Sequence, residues 1–471
     1  MKNILFVASE GLPFIQTGGL GDVIGALPKA LKKADKDTDV RVILPMYPQI
    51  NKEEMTFVKE MTVQLSWRNQ YCGIFTCKRD DVTYYFIDNE YYFYRPSCYG
   101  QYDDGERFAF FSKAAIDILP EVGFFPDVVH CHDWQTALAV IYLKTMYRNV
   151  DWCKNIKTVF TIHNIEYQGK YDMAILGDVF SLADFDAHIV EYDGCINLMK
   201  GAIECADKVT TVSPSYAGEI FNPFYSHGLS PVINNNSYKI TGILNGIDVD
   251  FYNPSIDKAL YKNYNIDSIK DKSANKLMLQ KHFCLPENAN IPMISIISRL
   301  VSHKGMDITC GAADDILSNN VQLVILGKGD KNYEDFFRGL QHRYPDKVIS
   351  YIAFEPEIAR KIYAASDMFL MPSKSEPCGL AQMICSRYGT VPIVRETGGL
   401  KDSIHDCTLG EGNGFTFVDY TPGNIVNAVN RALSVYYNKK NWENLMREVM
   451  SVDFSWNASA LKYLELYGNL S

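Results

Sequence analysis

The sequence has no excess of positive charge and no long hydrophobic run. It carries 46 Lys and Arg residues against 56 Asp and Glu residues, a formal net charge of −10 at pH 7. Because a protein whose main partner is a nucleic acid usually presents a basic patch, we expect no nucleic-acid partner. No apolar stretch approaches the roughly 18 residues that a membrane-spanning helix requires, so we also expect no membrane partner.

We expect neither a targeting signal nor a disulfide framework. The N-terminal residues, MKNILFVASEGLPF, contain only a short apolar run without a small-residue cleavage pattern. That run is typical of a first β-strand rather than of a signal peptide. The 12 cysteines are scattered, and none forms a C-x-x-C pair. We therefore expect reduced thiols and a cytoplasmic location.

Three common catalytic signatures are also missing. The sequence contains no G-x-x-x-x-G-K-[ST], no H-E-x-x-H and no G-x-S-x-G. P-loop hydrolysis, zincin chemistry and the usual serine esterase chemistry therefore have no support.

Short β-branched apolar runs alternate with longer amphipathic stretches along most of the chain. Continuous apolar runs of this kind indicate parallel strands that are buried on both faces. A length of 471 residues allows two or three domains. We predict the α/β class with two doubly wound sheets. The predicted strands are residues 3–9, 39–46, 83–88, 127–133, 158–164, 208–213, 293–298, 321–327, 348–354, 368–373 and 392–397.

A break in the pattern separates the two halves. Residues 245–255, NGIDVDFYNPS, contain turn formers without periodicity and are predicted to form a hinge. We place an N-terminal domain at residues 1–245 and a C-terminal domain at 246–450, with a helix at 276–283. Residues 451–471 include an apolar helical stripe, and we predict a helix there that crosses back to the first domain.

The tetrapeptide Thr-Gly-Gly-Leu occurs twice, at residues 17–20 and 397–400. Each copy follows a predicted strand and precedes a helical pattern. Adjacent glycines let the backbone approach a ligand oxygen, and free amides at a helix start favour negative charge. We predict that the two loops hold one anionic ligand from opposite sides of a cleft. The alternative is two unrelated tight turns.

Two motifs in the second half place charged residues after strands. In SRLVSHKG, Arg299 and Lys304 would clamp a diphosphate; alternatively, they are ordinary solvated surface residues. In SKSEPCGLAQM, Glu376 would meet a hydroxyl-rich ligand, and Gly379 would allow a close backbone approach. The alternative is a turn with a carboxylate at a helix start.

Two motifs in the first half end strands with histidines. HCHDWQT puts His130 and His132 on one strand face, followed by Asp133, and TIHNIEYQG puts His163 and Asn164 at a strand end. The histidines allow a metal site, but a third ligand at a known spacing is missing, so we predict no metal. Alternatively, these side chains are hydrogen-bonded core or turn residues.

Seven motifs occur along the chain in this order: TGGLGDV, HCHDWQT, TIHNIEYQG, NGID, SRLVSHKG, SEPCGLAQ and ETGGLKD. Together they make the chain resemble the bacterial glycogen synthases and plant starch synthases. The resemblance runs over nearly the whole chain. It implies a retaining glycosyltransferase of the GT-B fold, with two Rossmann-like domains facing each other across a cleft. It also implies a role in glycogen biosynthesis: transfer of glucose from a nucleotide sugar, usually ADP-glucose, to the non-reducing end of an α-1,4-glucan. The nucleotide sugar is then a substrate, no cofactor is implied, and the oligomeric state is left open.

The resemblance also implies roles for residues at matching positions. Arg299 and Lys304 match a diphosphate-binding pair, and Glu376 matches a glutamate that contacts the donor glucose. His163 matches a histidine near the reacting bond, and Asp133 matches an active-site aspartate. These five are the predicted catalytic residues. The predicted substrate-binding residues are Gln16, Gly18, Gly19, Asp22, Asn164, Asn245, Tyr351 (beside the adenine), Cys378, Gly379, Leu380, Thr397, Gly398, Gly399 and Leu400.

The implied chemistry needs a stabilised leaving group. Arg299, Lys304 and the backbone amides of residues 398–400 would hold the departing diphosphate. One position departs from the family pattern: its first loop normally reads K-x-G-G-L, and Gln16 replaces the lysine. A neutral amide does not supply the lysine's charge. The alternatives are therefore a transferase that uses UDP-glucose or another acceptor, and a weakly active or silent glucan-binding paralogue.

Overall fold

A computed structural model describes residues 2–470, and the chain divides into two compact units. The first unit contains the residues up to Asn245 together with those from Trp456 onward, and the second spans Gly246–Ser455. The second unit therefore ends at Ser455 and not at residue 450.

The strands and helices are short, as expected for alternating β and α elements. The strands are β1 Asn3–Val7, β2 Asp39–Pro45, β3 Thr56–Leu65, β4 Arg68–Arg79, β5 Val82–Asp88, β6 Val128–His132, β7 Lys157–Ile162, β8 Lys170–Tyr171, β9 Glu191–Tyr192, β10 Cys195–Asn197, β11 Lys208–Thr211, β12 Ile240–Gly242, β13 Met293–Ile297, β14 Gln322–Leu326, β15 Val348–Tyr351, β16 Met368–Met371, β17 Val391–Arg395 and β18 Phe415–Phe417. The helices are α1 Gly19–Ala34, α2 Glu90–Phe93, α3 Asp104–Asp117, α4 Ala137–Lys144, α5 Ala187–Val190, α6 Leu198–Cys205, α7 Pro214–Glu219, α8 Ser230–Asn235, α9 Lys272–His282, α10 Met306–Leu317, α11 Lys331–Arg343, α12 Pro356–Ala365, α13 Ala381–Arg387, α14 Gly398–Ser403, α15 Pro422–Tyr436, α16 Lys439–Ser451 and α17 Trp456–Gly468.

The first unit is built on a nine-stranded sheet in the order β12-β11-β7-β6-β1-β2-β5-β4-β3, accompanied by a small sheet β8-β10-β9. Neighbouring strands from β12 to β5 run parallel, whereas β4 is antiparallel to both β5 and β3. In the centre, Leu5 of β1 lies opposite Arg41 of β2 and Val129 of β6.

The second unit contains a six-stranded, fully parallel sheet in the order β15-β14-β13-β16-β17-β18. Counted within the unit, this is the order 3-2-1-4-5-6 of a Rossmann sheet. Side chains on the two faces enter different cores: Ile294 and Ile296 of β13 pack in one cluster, and Met293 packs in the other. Burial on both faces is what produces near-continuous apolar runs in the sequence.

The predicted α/β fold with doubly wound sheets is confirmed, since each predicted strand overlaps an observed one. Strands β3 and β4 are not among the predicted strands, and they form an antiparallel hairpin. Strand β3 is exposed over most of its length, so TFVKEMTVQL mixes polar and apolar residues instead of showing a continuous apolar run.

The C-terminal helix α17 belongs to the first unit. It packs against α1 and buries Tyr463 and Tyr467. Within residues 2–470, no helix has the length and apolar character needed to cross a membrane.

Candidate active site

In a doubly wound sheet, one pair of neighbouring strands is followed by connections that run to opposite sides of the sheet; we call this place the divergence point. Ligands of such sheets bind there, beyond the carboxyl ends of the strands. In the second unit this point lies between the neighbouring strands β13 and β16. The loop after β13 carries Arg299 and Lys304, and the loop after β16 carries Glu376. The topology therefore brings two motifs together that are far apart in the sequence.

Lys304 and Glu376 form an ion pair at this point. Lys304 Nζ donates to Glu376 Oε1 at 2.8 Å and to Oε2 at 2.6 Å. The Ser373 hydroxyl donates to Glu376 Oε2 at 3.0 Å. Only 7% of the Glu376 side chain and 19% of the Lys304 side chain are exposed, so the pair is poorly screened by water and its geometry is well defined.

Arg299 lies in the same loop but is exposed. Its Nη2 is 3.5 Å from His303 Nε2, and it forms no ion pair within residues 2–470. Its guanidinium therefore keeps most of its five donors available for an anion.

The second Thr-Gly-Gly-Leu loop packs tightly against the Glu376 loop. Gly399 N donates to the carbonyl oxygens of Glu376 and Pro377, at 3.1 and 3.2 Å. Gly398 has a φ of +43°, and a Cβ there would lie 2.0 Å from the Glu376 carbonyl oxygen. These glycines are needed to let two backbone segments touch. The expectation of free amides is wrong for Gly399 and also for Leu400, whose N–H donates to Thr397 O.

Of the remaining predicted residues of the second unit, all but Tyr351 lie in these two loops or at the start of the helices that follow them. Thr397 is buried at the start of α14. Cys378 is half-buried, and a Cβ on Gly399 would lie 2.7 Å from its Cα. Gly379 O accepts from the Gln382 side chain at 2.5 Å, and Leu380 is half-buried just before α13. Tyr351 ends β15, donates to Glu355 Oε1 at 2.9 Å and lies against the Phe283 ring.

In the first unit the corresponding point lies between β1 and β6. Glu10 follows β1 and is 2% exposed. Its Oε2 accepts from both the backbone N–H and the hydroxyl of Thr17, the latter at 2.6 Å. The backbone of Gly18 also hydrogen-bonds to this carboxylate. Amides at the start of α1 thus already face a carboxylate that belongs to the protein itself.

Gln16 and Asp22 lie on the open side of the same loop. Gln16 Nε2 donates to Asp22 Oδ2 at 2.6 Å. Burial, together with the neighbouring Glu10, raises the pKa of Asp22 to about 7. Gly18 and Gly19 are exposed, and a Cβ on Gly19 would meet nothing within 4 Å. The first loop is therefore open where the second is tightly packed.

Asp133 follows β6 and holds the end of β7. Its Oδ1 accepts from His163 N at 2.7 Å and from Asn164 N at 3.4 Å. Asp133 has a φ of +56°, an uncommon conformation for a residue with a side chain, and such residues cluster at functional sites. Burial raises the pKa of Asp133 to about 7 and lowers that of His163 to about 3.

The two histidines of β6 are buried and paired inside the first unit. His130 contacts the Tyr467 hydroxyl at 2.7 Å and the Thr161 hydroxyl at 2.6 Å. His132 Nδ1 lies 2.9 Å from His163 Nε2. No group of three His, Cys, Asp or Glu side chains suitable for a metal ion occurs among the described residues 2–470.

Asn245 is the last residue of the first unit before the boundary. It is buried, its N–H donates to Val212 O at 3.2 Å, and its side-chain oxygen has no partner in the described part of the chain. A buried amide oxygen without a donor is costly, so such an atom marks a position where a bound hydroxyl would be favoured.

Sequence reasoning missed three residues of these sites: Glu10, His132 as a partner of His163, and Ser373. Glu10 lies outside the motifs, whereas His132 and Ser373 stand inside HCHDWQT and SKSEPCGLAQM without a spacing that points to a role. The available signal was position, since each stands at or just after the carboxyl end of a strand that borders a point of divergence, where ligands of parallel sheets bind.

Two family descriptions match the chain. Residues 3–235 match "Starch synthase catalytic domain", and residues 279–448 match "Glycosyl transferases group 1". Among curated relatives, the glycogen synthase of Clostridium perfringens is 48% identical over 475 residues, covering 99% of this chain and 98% of the relative. That of Clostridium beijerinckii is 49% identical over 481 residues, covering 99% of each.

Solved structures give the same answer. The catalytic domain of starch synthase IV from Arabidopsis thaliana, bound to ADP and acarbose, superposes with a TM-score of 0.92 at 33% identity, covering 100% of this chain and 99% of that one. Sucrose-phosphate synthase from Thermosynechococcus elongatus superposes with a TM-score of 0.63 at 17% identity over 100% of this chain and 99% of that one, a likeness of fold alone.

Proposed function

The chain belongs to the glycogen synthase and starch synthase family, and we propose that it transfers glucose from ADP-glucose to the non-reducing end of an α-1,4-glucan with retention of configuration. It is a glycosyltransferase of the GT-B fold. We propose that it needs no cofactor, since the nucleotide sugar is a substrate. Since no disulfide joins any of the 12 cysteines, all of which lie within the described residues 2–470, we place the reaction in the reducing cytoplasm.

The observation that carries the proposal is the Lys304–Glu376 pair at the divergence point of a Rossmann sheet. Lys304 spends two of its three donors on the carboxylate and keeps one for a phosphate oxygen. Glu376 accepts three hydrogen bonds in total, and a carboxylate has about four lone-pair sites. One acceptor site thus remains for a glucose hydroxyl.

We assign the leaving diphosphate to Arg299 and Lys304. Breaking the anomeric C–O bond puts negative charge on the diphosphate, and fixed cations near that position stabilise the transition state more than the ground state. Arg299 is exposed and forms no ion pair within the described residues, so it is able to bind phosphate without first breaking an ion pair.

The first-unit residues supply neutral hydrogen bonds rather than charge. With a pKa of about 3, His163 is an uncharged imidazole at neutral pH and not a general acid. Asp133 fixes the backbone of His163 and Asn164. We propose that His163, Asn164 and Asn245 orient sugar hydroxyls, and that a phosphate oxygen of the leaving group takes the acceptor proton.

The test is a donor panel. Purified full-length protein is incubated with glycogen and either ADP-glucose or UDP-glucose, and transferred glucose and released diphosphate are measured. The proposal predicts transfer with ADP-glucose preferred. A UDP-glucose preference would replace the donor assignment, and no transfer from either donor would identify a silent glucan-binding paralogue and overturn the proposal.

A further inference from the structure

His132 is placed to control the chemistry of His163. The two rings are linked by a contact of 2.9 Å between His132 Nδ1 and His163 Nε2. His132 is 0% exposed and packs in a cluster of three rings: Phe6 stacks on it at 5.5 Å, the His130 ring centre is 4.2 Å away, and Phe6 and His130 are 4.9 Å apart. Complete burial in this cluster holds the ring in place.

Both imidazoles are neutral at physiological pH, because burial lowers the pKa of each below its ordinary value. Each ring then carries a single N–H, and only one of these two N–H groups lies in the contact between the rings. The hydrogen bond is either His132 Nδ1–H to His163 Nε2 or His163 Nε2–H to His132 Nδ1.

The remaining nitrogen of His132 decides between these two states. His132 Nε2 is buried and has no hydrogen-bond partner in the described part of the chain. If His163 were the donor, His132 would carry its proton on Nε2, as a buried N–H without an acceptor. Buried donors without a partner are rarer than buried acceptors without one. The state in which His132 Nδ1–H donates leaves only an unpaired acceptor and is favoured.

We propose that His132 is a positioning residue that fixes His163 in the tautomer protonated on Nδ1, so that the free side of the His163 ring presents a donor to a sugar oxygen. The inference about catalysis rests on the proposed function, whereas the tautomer is a property of the protein alone. The protonation state of one imidazole nitrogen is set by the hydrogen bond that the other nitrogen makes. His163 is half-buried, and its Nδ1 has no partner among residues 2–470, so it is open to a ligand.

His130 provides a matched control. It lies in the same ring cluster, but its nitrogens contact Thr161 and Tyr467, which belong to the interior of the first unit. His130→Phe therefore removes the same kind of ring nitrogens without changing the partner of His163. Any general loss of stability or activity caused by a phenyl ring in this ring cluster appears in both variants.

The experiment compares wild type, His132→Phe and His130→Phe in the full chain, selectively labelled with ¹⁵N-histidine. The tautomer of His163, identified by the loss of its signal in His163→Gln, is determined from imidazole ¹⁵N chemical shifts. We expect protonated Nδ1 in wild type and in His130→Phe, and a shift towards protonated Nε2 in His132→Phe. A wild-type His163 protonated on Nε2, or the same tautomer in all three proteins, would overturn the proposal.

Activity gives the second readout. With ADP-glucose and glycogen, kcat should fall roughly tenfold in His132→Phe, with little change in KM, because one oriented hydrogen bond is lost. His130→Phe should keep kcat within about threefold. Equal losses of kcat in both variants contradict a specific role for His132.

If His132→Phe does not fold, His132→Asn replaces it. The amide nitrogen of asparagine, at the δ position, should donate in place of Nδ1–H and retain most of kcat, and a kcat as low as that of His163→Gln contradicts the proposal. An inactive wild type would refute the proposed function while leaving the tautomer test intact.

Discussion

Lys304 Nζ contacts both carboxylate oxygens of Glu376, at 2.8 and 2.6 Å, although the two residues are 72 positions apart in the chain. The contact exists because β13 and β16 are neighbours in the sheet and the loops that follow them meet at its carboxyl edge. It follows that Glu376 orients Lys304, the lysine that we propose as a ligand of the diphosphate.

Glu376→Gln should therefore damage catalysis severely. The amide keeps the shape but loses the charge that holds Lys304, and kcat should fall about 100-fold, the cost typical of losing one fixed electrostatic group. The measurement is steady-state transfer from ADP-glucose to glycogen. Glu357→Gln, at an exposed ion pair with Lys361, is the control and should behave like wild type. A kcat within threefold of wild type would contradict the role of Glu376.

Arg299→Ala should weaken donor use without destabilising the protein. The side chain is exposed and has no ion pair within residues 2–470, so its loss should leave Tm unchanged. Because a charge-assisted hydrogen bond to the diphosphate is removed, kcat/KM for ADP-glucose should fall at least about tenfold. Arg338→Ala, which removes an exposed arginine paired with Glu334, is the matched control. Equal kinetics for the two variants would show that Arg299 does not contact the donor.

The two Thr-Gly-Gly-Leu loops should respond differently to the same change. Gly398→Ala forces a Cβ to within 2.0 Å of the Glu376 carbonyl oxygen at a φ of +43°, so it should lower stability by about 1–3 kcal/mol and disturb Glu376. Gly18→Ala, at the matching position, meets only Glu10 Oε1 at 3.6 Å, an ordinary contact, and should leave Tm within about 1 °C of wild type. Thermal unfolding of both variants is the measurement. Similar Tm losses would contradict the distinction between a packed loop and an open one.

The raised pKa of Asp22, caused by burial and by the neighbouring Glu10, should make stability pH-dependent. The folded pKa of Asp22, about 7, lies above the ordinary value of 3.8. Its contribution to stability is thus fully present below about pH 4 and is lost as the pH rises through 7. Gln16→Lys places a cation beside the carboxylate and lowers its pKa, so the variant should lose less stability as the pH rises.

Tm is measured for wild type and Gln16→Lys at pH 5 and pH 8. The Tm advantage of the lysine variant should be larger at pH 8 by roughly 2 °C. Gln16→Met has a similar length without charge and should show no such gain. An advantage that is the same at both pH values would contradict the assigned protonation of Asp22.

The sequence was most informative about where strands end and least informative about which side chains and backbone groups contact each other beyond the strand ends. Continuous apolar runs located β13 and β16, and the motifs after them marked Arg299, Lys304 and Glu376. The pairing of Lys304 with Glu376 depends on strand order, which apolar periodicity does not contain.

The same limit explains the errors at the glycine loops. The repeated tetrapeptide correctly indicated a strand-to-helix turn in both places. Whether its amides are free depends on contacts with residues outside the tetrapeptide: the Glu376 carbonyl oxygen accepts from Gly399, and the carboxylate of Glu10, seven residues earlier in the chain, accepts from Thr17. Such contacts follow from tertiary packing and leave no local pattern in the sequence.

One measurement bears most directly on the central claim, that the second unit holds a nucleotide sugar through Lys304 and Glu376 for transfer to glucan. Wild type and Glu376→Gln are compared in the incorporation of labelled glucose from ADP-glucose into glycogen, with released ADP measured in parallel. The account predicts equal amounts of incorporated glucose and ADP with wild type, and about 100-fold slower incorporation with the variant. Equal incorporation rates in the two proteins, or ADP release without incorporation, would contradict it.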